Sequence, residues 1–411
     1  MSPTHSVERP YGWAVVAASV LCMAVATGSL YVVVVGLKPI AAEFGGSRSI
    51  PSLGYSVGLL GMGVGGILMG RWADRKGTLQ PLTLAGVMIP LGAYIASTSS
   101  NEWILVGTHA VFFGLLGNAA FFVPLMANVT RWFDRRRGLA VAVVAGGQGL
   151  GGAIWPQIFR YLIENYGWRE TYVFYGIVAL VVLLPMSFVL APAAPDALEE
   201  AANDVKNEGD KGLILGLPAL QVHFMLCFAA VGCCVAMAMP MVHIIAHATD
   251  LGYSSVHAAW VATALLGASV ISRIVWGIAS NWLGGLKTLL YGSLCQAAVL
   301  SCYLFTDNLP GLYAVSIMFG LAYGGIVPAY TLIVRELFPL GQVGERLGYV
   351  YLFGTIGMAL GGTLGGYIFE LTESYRIAFA VGVLFNLGNL MMVFPLTRRH
   401  VRSMSPQSAP A

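Results

Sequence analysis

The sequence predicts an all-α membrane protein, with twelve transmembrane helices in two pseudo-symmetric six-helix bundles. Three observations predict this. Of 411 residues, 57% are hydrophobic and only 10% charged, with a mean hydropathy of +0.75. A water-soluble chain carries about 25% charged residues, because its surface has to be solvated. The apolar residues gather into runs long enough to cross a hydrocarbon core of about 30 Å at about 1.5 Å per residue. Glycine is the third signal: 51 are present, and they suit membrane helices that pack closely through small side chains.

Apolar runs between breaks place spans 1 to 6 near 13–42, 50–72, 79–98, 104–130, 138–160 and 168–190. Spans 7 to 12 follow near 216–246, 255–282, 287–306, 310–336, 345–370 and 375–396. Residues 1–190 thus form the first bundle and 216–396 the second, with a cytoplasmic tail at 397–411. The stretch 191–215 holds Pro192 and Pro195, then Asp196, Glu199, Glu200, Asp204, Glu208 and Asp210. It reads as a mobile cytoplasmic linker, with or without an interfacial helix. The run from Tyr11 to Leu37 is too long for a signal-peptide core and reads as a span.

Orientation follows from the 22 basic residues. With the amino end inside, sixteen fall on the inner side: Arg9, Arg71, Arg75, Lys76, Arg131, Arg135, Arg136, Arg137, Lys206, Lys211, Lys287, Arg335, Arg346, Arg398, Arg399 and Arg402. Arg48, Arg160, Arg169 and Arg376 fall outside. The asymmetry places both termini in the cytoplasm, and the expected location is a plasma membrane (the inner membrane in a bacterium).

The halves repeat. A shift of 210 carries Arg136, Gly138, Gly147, Gly151 and Gly152 onto Arg346, Gly348, Gly357, Gly361 and Gly362. A shift of 207 carries Gly70, Gly77 and Leu79 onto Gly277, Gly284 and Leu286; near 206, Phe113-Gly114-Leu115 falls on Phe319-Gly320-Leu321. Such duplication points to a carrier in which one half rocks against the other. The clusters Gly61-x-Gly63-x-Gly65-Gly66, Gly146-Gly147-x-Gly149-x-Gly151-Gly152 and Gly361-Gly362-x-x-Gly365-Gly366 serve either tight packing or sliding along a seam between halves.

Several classes drop out. The net charge of +3, without a basic tract, excludes a nucleic-acid partner. No G-x-x-x-x-G-K-[ST] segment is present, so ATP is not the expected energy source. No nucleophile–base pair falls in the spans, which argues against an enzyme; no catalytic residue, cofactor or metal is expected. The six cysteines lie in apolar runs and read as buried small hydrophobes.

The segment Gly70-Arg71-Trp72-Ala73-Asp74-Arg75-Lys76-Gly77, on the inner side between spans 2 and 3, has the form G-x-x-x-D-R-x-G. With twelve spans in two halves, it resembles the major facilitator superfamily. Its second-half counterpart, Gly277 to Gly284, has lost both charges. The resemblance implies that Gly70, Asp74, Arg75 and Gly77 gate the protein, Asp74 sitting against a helix N-terminus and arginines of the other half. Within the superfamily the whole chain resembles monocarboxylate transporters and their bacterial relatives, including oxalate–formate exchangers. Tyr11-Gly12-Trp13 and Arg131-Trp132-Phe133-Asp134-Arg135-Arg136-Arg137-Gly138-Leu139-Ala140 carry that likeness; Tyr11 stands where members often have an acid.

All 19 acids lie in loops or near span ends, whereas Arg273 lies in span 8, nine residues before Trp282. That is ~13 Å from the inner aromatic belt. An arginine at such depth costs ~2.5–3.5 kcal/mol on insertion scales and should face a wet cavity or a partner. Either backbone carbonyls satisfy it, or a substrate carboxylate does, gripped by two parallel hydrogen bonds. The resemblance implies the second; the family's aspartate four residues earlier is Ser269 here.

Lys38, before Pro39 at the outer end of span 1, either snorkels to the interface or, as the resemblance implies, helps take up proton and anion. Asn118 in span 4 occupies a place where related carriers contact the carboxylate. Tyr31 and Tyr323 offer phenol donors or packing, and Gln148 lies in the glycine-rich part of span 5. His243 and His247, one turn apart in span 7, read as a protonatable pair or as satisfied histidines; as zinc ligands they lack a third group.

The sequence thus predicts a secondary active transporter of small organic monocarboxylates such as lactate or pyruvate, proton-coupled and functional as a monomer in the lipid bilayer. Open alternatives are an organic-anion exchanger, a carrier of dicarboxylates or aromatic acids, a multidrug exporter, and a non-transporting organic-acid sensor.

Overall fold

The computed structural model describes residues 8–44, 49–194 and 213–404. Among them, twelve helices are long and apolar enough to cross a membrane. Spans 1 to 6 are Pro10–Val35, Leu53–Lys76, Leu79–Ser97, Glu102–Val129, Arg137–Tyr166 and Trp168–Val189. Spans 7 to 12 are Ala219–Asp250, Val256–Leu283, Gly285–Phe305, Leu309–Leu337, Leu340–Thr372 and Tyr375–Arg402. Large apolar side chains such as Leu68, Val181, Leu384 and Met391 stand exposed along the spans, the outward face a multi-pass membrane protein turns to lipid.

The span boundaries have local causes. Asn101 accepts from the Trp103 amide (2.7 Å) to open span 4, and Asn308 accepts from Gly311 (2.7 Å) to open span 10, each satisfying an orphan N–H. Span 2 ends before Gly77 (φ +78°) and span 8 before Gly284 (φ +76°). These are the residues related by the 207 shift. A left-handed backbone at both explains why glycine persists where the charges between the repeats have diverged.

By internal contacts the chain divides into two compact units, Met1–Val205 with Pro339–Leu352, and Lys206–Phe338 with Phe353–Ala411. The helix Val343–Thr372 is therefore shared, its first turns belonging to the first unit. The sequence division assigned residues 339–352 to the second bundle; their contacts lie with the first.

Each unit is built on the same close approach. In the first, Gly147 and Gly151 of span 5 lie against the Val20 and Ala24 carbonyls of span 1. In the second, Gly357 and Gly361 of span 11 lie against the Val231 and Val235 carbonyls of span 7. A Cβ at any of them would strike backbone, so glycine sets the helix spacing. Gly61 and Gly65 likewise seat span 2 on the backbone of span 4. Their packing role is thus within each unit.

Two local expectations are corrected. The end of the linker, read as mobile with or without an interfacial helix, is a hairpin: Leu213–Ile214 (β1) pairs antiparallel with Leu217–Pro218 (β2). Its two-residue turn, Leu215 (φ 54°) and Gly216 (φ 73°), has the twist of a tight hairpin. The linker acids from Asp196 to Asp210 lie outside the described residues. Of the cysteines, Cys295 and Cys302 are exposed rather than buried, because they sit on the outer face of span 9. Cys227 also lies one turn after His223, Sγ to Nε2 3.8 Å, a proximity the cysteine reading overlooked.

Candidate functional site

Corresponding helices of the two units are interrupted at corresponding places. Span 4 winds wide over His109–Asn118, with π-type turns. Span 10 stops at Tyr323, passes through Gly324 and Gly325, and resumes at Ile326. Gly114 meets the Gly58 carbonyl and Gly320 meets the Leu265 carbonyl, so the 206 shift superimposes the flanking contacts. Interruptions repeated in two halves are where a carrier's binding site is to be sought, because they free backbone groups at membrane depth.

In the second unit the interruption packs on span 8. Gly324 lies against Ser272 and Gly325 against Trp276, where any larger residue would collide. The Ser272 hydroxyl (2.5 Å) and Trp276 Nε1 (3.0 Å) both donate to the Leu321 carbonyl, which the broken helix leaves without its usual donor. Arg273, half-buried, follows Ser272 on the same turn. Tyr323, 3% exposed, lies within electrostatic reach of Arg273 and interacts with the Ser269 hydroxyl. Ser269 in turn donates to Leu266 (2.7 Å). A guanidinium, a phenol and a hydroxyl therefore converge where the helix is broken. Spacing alone did not reveal Ser272 and Trp276; their position around Arg273 at i−1 and i+3 was the available signal.

In the first unit the interruption is sealed. Asn118 Nδ2 donates to Ser29 Oγ (2.6 Å) and to the Phe113 carbonyl (3.0 Å). Both amide hydrogens are engaged and the residue is buried. Asn118, which the sequence offers as a substrate contact, here braces span 4 to span 1. Nearby, His109 Nε2 lies 2.8 Å from the Tyr172 hydroxyl, a buried pair that the sequence reading missed. Tyr31 lies over Gly152, where a Cβ would come 2.9 Å from its hydroxyl, and within electrostatic reach of Tyr55. Gln148 is half-buried on span 5. Lys38 falls in the short helix Leu37–Glu43, and its side chain lies outside the described residues.

His243 Nε2 lies 2.9 Å from the Gly362 carbonyl, and its ring stacks on Tyr375 (5.2 Å, 27°). Gly365 leaves the room for that imidazole. His247 meets Tyr375 and Phe379 edge-on. Both histidines are packed within the second unit, and among the described residues no three metal-ligating groups gather.

The loop after span 2 forms a latch in the first unit. Asp74 accepts from the Gly344 (3.0 Å) and Glu345 (2.9 Å) amides, at the start of the helix Val343–Thr372. Arg131 Nη2 donates to Asp74 (3.2 Å) and to the Leu340 carbonyl (2.7 Å). A carboxylate at a helix N-terminus is the favourable sign. Asp74 thus meets a helix N-terminus, and the arginine beside it is Arg131, from the end of span 4. Gly70 approaches the Gly344 backbone too closely for a side chain, while Arg75 is exposed.

The sequence profile of the Major Facilitator Superfamily matches residues 17–224 and again 224–410. The chain belongs to the major facilitator superfamily. The double match reproduces the repeat. Among curated relatives, monocarboxylate transporter 13 of Bos taurus is 29% identical over 349 residues, covering 82% of this chain and 77% of that one. Monocarboxylate transporter 11 of Mus musculus is 27% identical, covering 96% and 90%. Among solved structures, the fucose:proton symporter of E. coli aligns with a TM-score of 0.70 at 14% identity, covering 94% of this chain and 99% of that one. A proton:xylose symporter aligns with a TM-score of 0.71 at 13% identity, covering 94% and 95%. This superfamily member is thus a transporter, not an enzyme.

Proposed function

We propose that this transporter is a secondary carrier of small organic monocarboxylates, lactate- or pyruvate-like, coupled to protons and working by alternating access. The observation that carries the reading is the grouping of Arg273, Tyr323 and Ser269 at the break in span 10. A guanidinium forks onto a carboxylate through two parallel N–H bonds, and the phenol supplies a third donor at its edge. At an effective dielectric near 20 a close ion pair gains ~4 kcal/mol before desolvation, enough for binding and not so much as to prevent release. The relatives named monocarboxylate transporters support the substrate class. Binding RCOO⁻ together with H⁺ moves no net charge, which favours proton coupling.

In this reading Tyr31 and Gln148 are further candidates for contact with substrate. Lys38, at the outer end of span 1, and His243 are its candidates for proton uptake. The amino and carboxyl ends face the cytoplasm, the membrane is a plasma membrane, and one chain suffices. The Asp74 latch opens and closes as the carrier cycles.

The test is uptake of labelled lactate or pyruvate into proteoliposomes with an imposed inward proton gradient. Wild-type protein is expected to accumulate label and to lose that accumulation when the gradient is collapsed. Arg273→Gln should abolish uptake, and Arg273→Lys should leave a residue of it, since lysine keeps the charge but not the fork. A folded Arg273→Gln protein that transports normally would refute the assignment. Uptake indifferent to the gradient would replace proton coupling by anion exchange.

A further inference from the structure

Span 12 does not end in a neutral cap. Its last turns carry Arg398, Arg399 and Arg402, of which Arg398 and Arg402, four apart, share one helix face. The β1–β2 hairpin lies over this end of the helix. Its Leu215 carbonyl accepts from Arg399 Nη1 (3.3 Å), and a Cβ on Gly216 would stand 3.5 Å from the same nitrogen. Between hairpin and helix opens a cleft of about 800 Å³, lined by Leu215, Gly216, Phe394, Arg398, Arg399 and Arg402 together with Pro395. Three guanidinium groups face it, and no lining residue is acidic.

We infer that this cleft holds the headgroup of an anionic phospholipid. Guanidinium forks match the paired oxygens of a phosphodiester. The hairpin, by holding Arg399, fixes part of that geometry before any ligand arrives. The apolar side of the cleft decides between a lipid and a free anion. Phe394, 56% exposed, lies one turn deeper in the span than Arg398, so cationic groups at the helix end give way directly to an aromatic surface. A soluble phosphate has no use for that surface, nor for a volume of this size; the glycerol and first acyl carbons of a lipid fill both. Basic pockets beside the ends of membrane helices are suited to such headgroups. The inference uses none of the substrate residues and stands or falls apart from the transport reading.

Purified full-length protein in neutral detergent, titrated with phosphatidylglycerol, phosphatidylcholine or inorganic phosphate, tests this by thermal unfolding and by native mass spectrometry of retained lipid. Phosphatidylglycerol should raise the unfolding midpoint and be retained, and phosphatidylcholine should do neither. The combined Arg398→Gln, Arg399→Gln and Arg402→Gln variant should bind phosphatidylglycerol about 100-fold more weakly, at roughly fivefold per basic contact. The corresponding triple lysine variant should keep most of the preference, which separates lost binding from lost folding. Equal binding of phosphatidylglycerol by the glutamine variant, or an equal shift from inorganic phosphate, would overturn the assignment.

Discussion

Replacing Asp74 by asparagine tests the latch, because the substitution keeps shape and removes charge. The Asp74 side chain is 3% exposed and that of Arg131 15% exposed, so water screens their interaction little. The carboxylate accepts three charge-assisted bonds, from Gly344, Glu345 and Arg131. An asparagine retains one acceptor oxygen and turns an NH₂ toward one of the two backbone N–H groups. At about 1.5–3 kcal/mol for each hydrogen bond to a charge, the loss of one and the weakening of another come to about 2–4 kcal/mol. Arg131 keeps its bond to the Leu340 carbonyl (2.7 Å), which holds the cost below that of stranding a buried charge. Since 1.4 kcal/mol is tenfold in population, local opening of residues 339–352 should rise about 100-fold. Hydrogen exchange of the purified protein measures this directly: the Gly344 and Glu345 amides should exchange about 100-fold faster, with peptides at the outer loops unchanged. The neighbouring Arg71–Glu345 pair, 3.7 Å apart and half in solvent, is a control. Arg71→Gln should alter exchange by less than threefold, because such pairs contribute about 0–1 kcal/mol. Unchanged protection in Asp74→Asn would refute the view that the carboxylate holds this segment.

Glu43 offers a pH-dependent outcome. The Arg169 hydrogen bonds, aided by Trp168, hold its carboxyl below the ordinary carboxylate value. Its contribution is therefore present above the unfolded value near 4.5 and lost as pH falls through the lower folded value. In thermal unfolding, Glu43→Gln should lower stability slightly at pH 7, by less than about 1 kcal/mol because Glu43 is 44% exposed; the gap to wild type should narrow as pH falls below the unfolded value. Asn118→Leu should destabilise the protein by about 1–3 kcal/mol, since Ser29 and the Phe113 carbonyl lose a buried partner. Substrate affinity in the protein that folds should stay within a few-fold of wild type.

The architecture was legible because its signals are covalent and periodic. Apolar length marks the spans, and the constant offset between Gly77 and Gly284, or between Gly147 and Gly357, marks the repeat. Both offsets recur in the structure as backbone geometry, so a residue that only glycine can replace reads well without coordinates. What was not legible depends on partners distant in the chain. Asn118 looked like an open donor because Ser29, which engages it, is 89 residues away. Arg131 stands in the recognisable segment 131–140, yet nothing local tied it to Asp74, 57 residues earlier. The hairpin escaped because Leu215 opens its turn, where asparagine or glycine would have announced one.

The two interruptions show how a duplicated scaffold divides its labour. The 206 shift that aligns Gly114 with Gly320 aligns Asn118 with Gly324. In the first unit the side chain at that place turns back along the wide helix and donates to the Phe113 carbonyl from within. In the second unit glycine cannot do so. The freed Leu321 carbonyl is instead satisfied from outside, by Ser272 and Trp276 of span 8. Those two bonds fix the rotation of span 8, and Arg273 is carried between them. The arginine is thus positioned by the repair of a broken helix rather than by its own contacts alone. Span 8 and span 10 substitutions should therefore alter substrate affinity, while the matching substitutions in span 4 should alter stability. An equal effect on affinity from both would mean that the two breaks serve one purpose, and that the chemical difference between asparagine and glycine at this place is incidental.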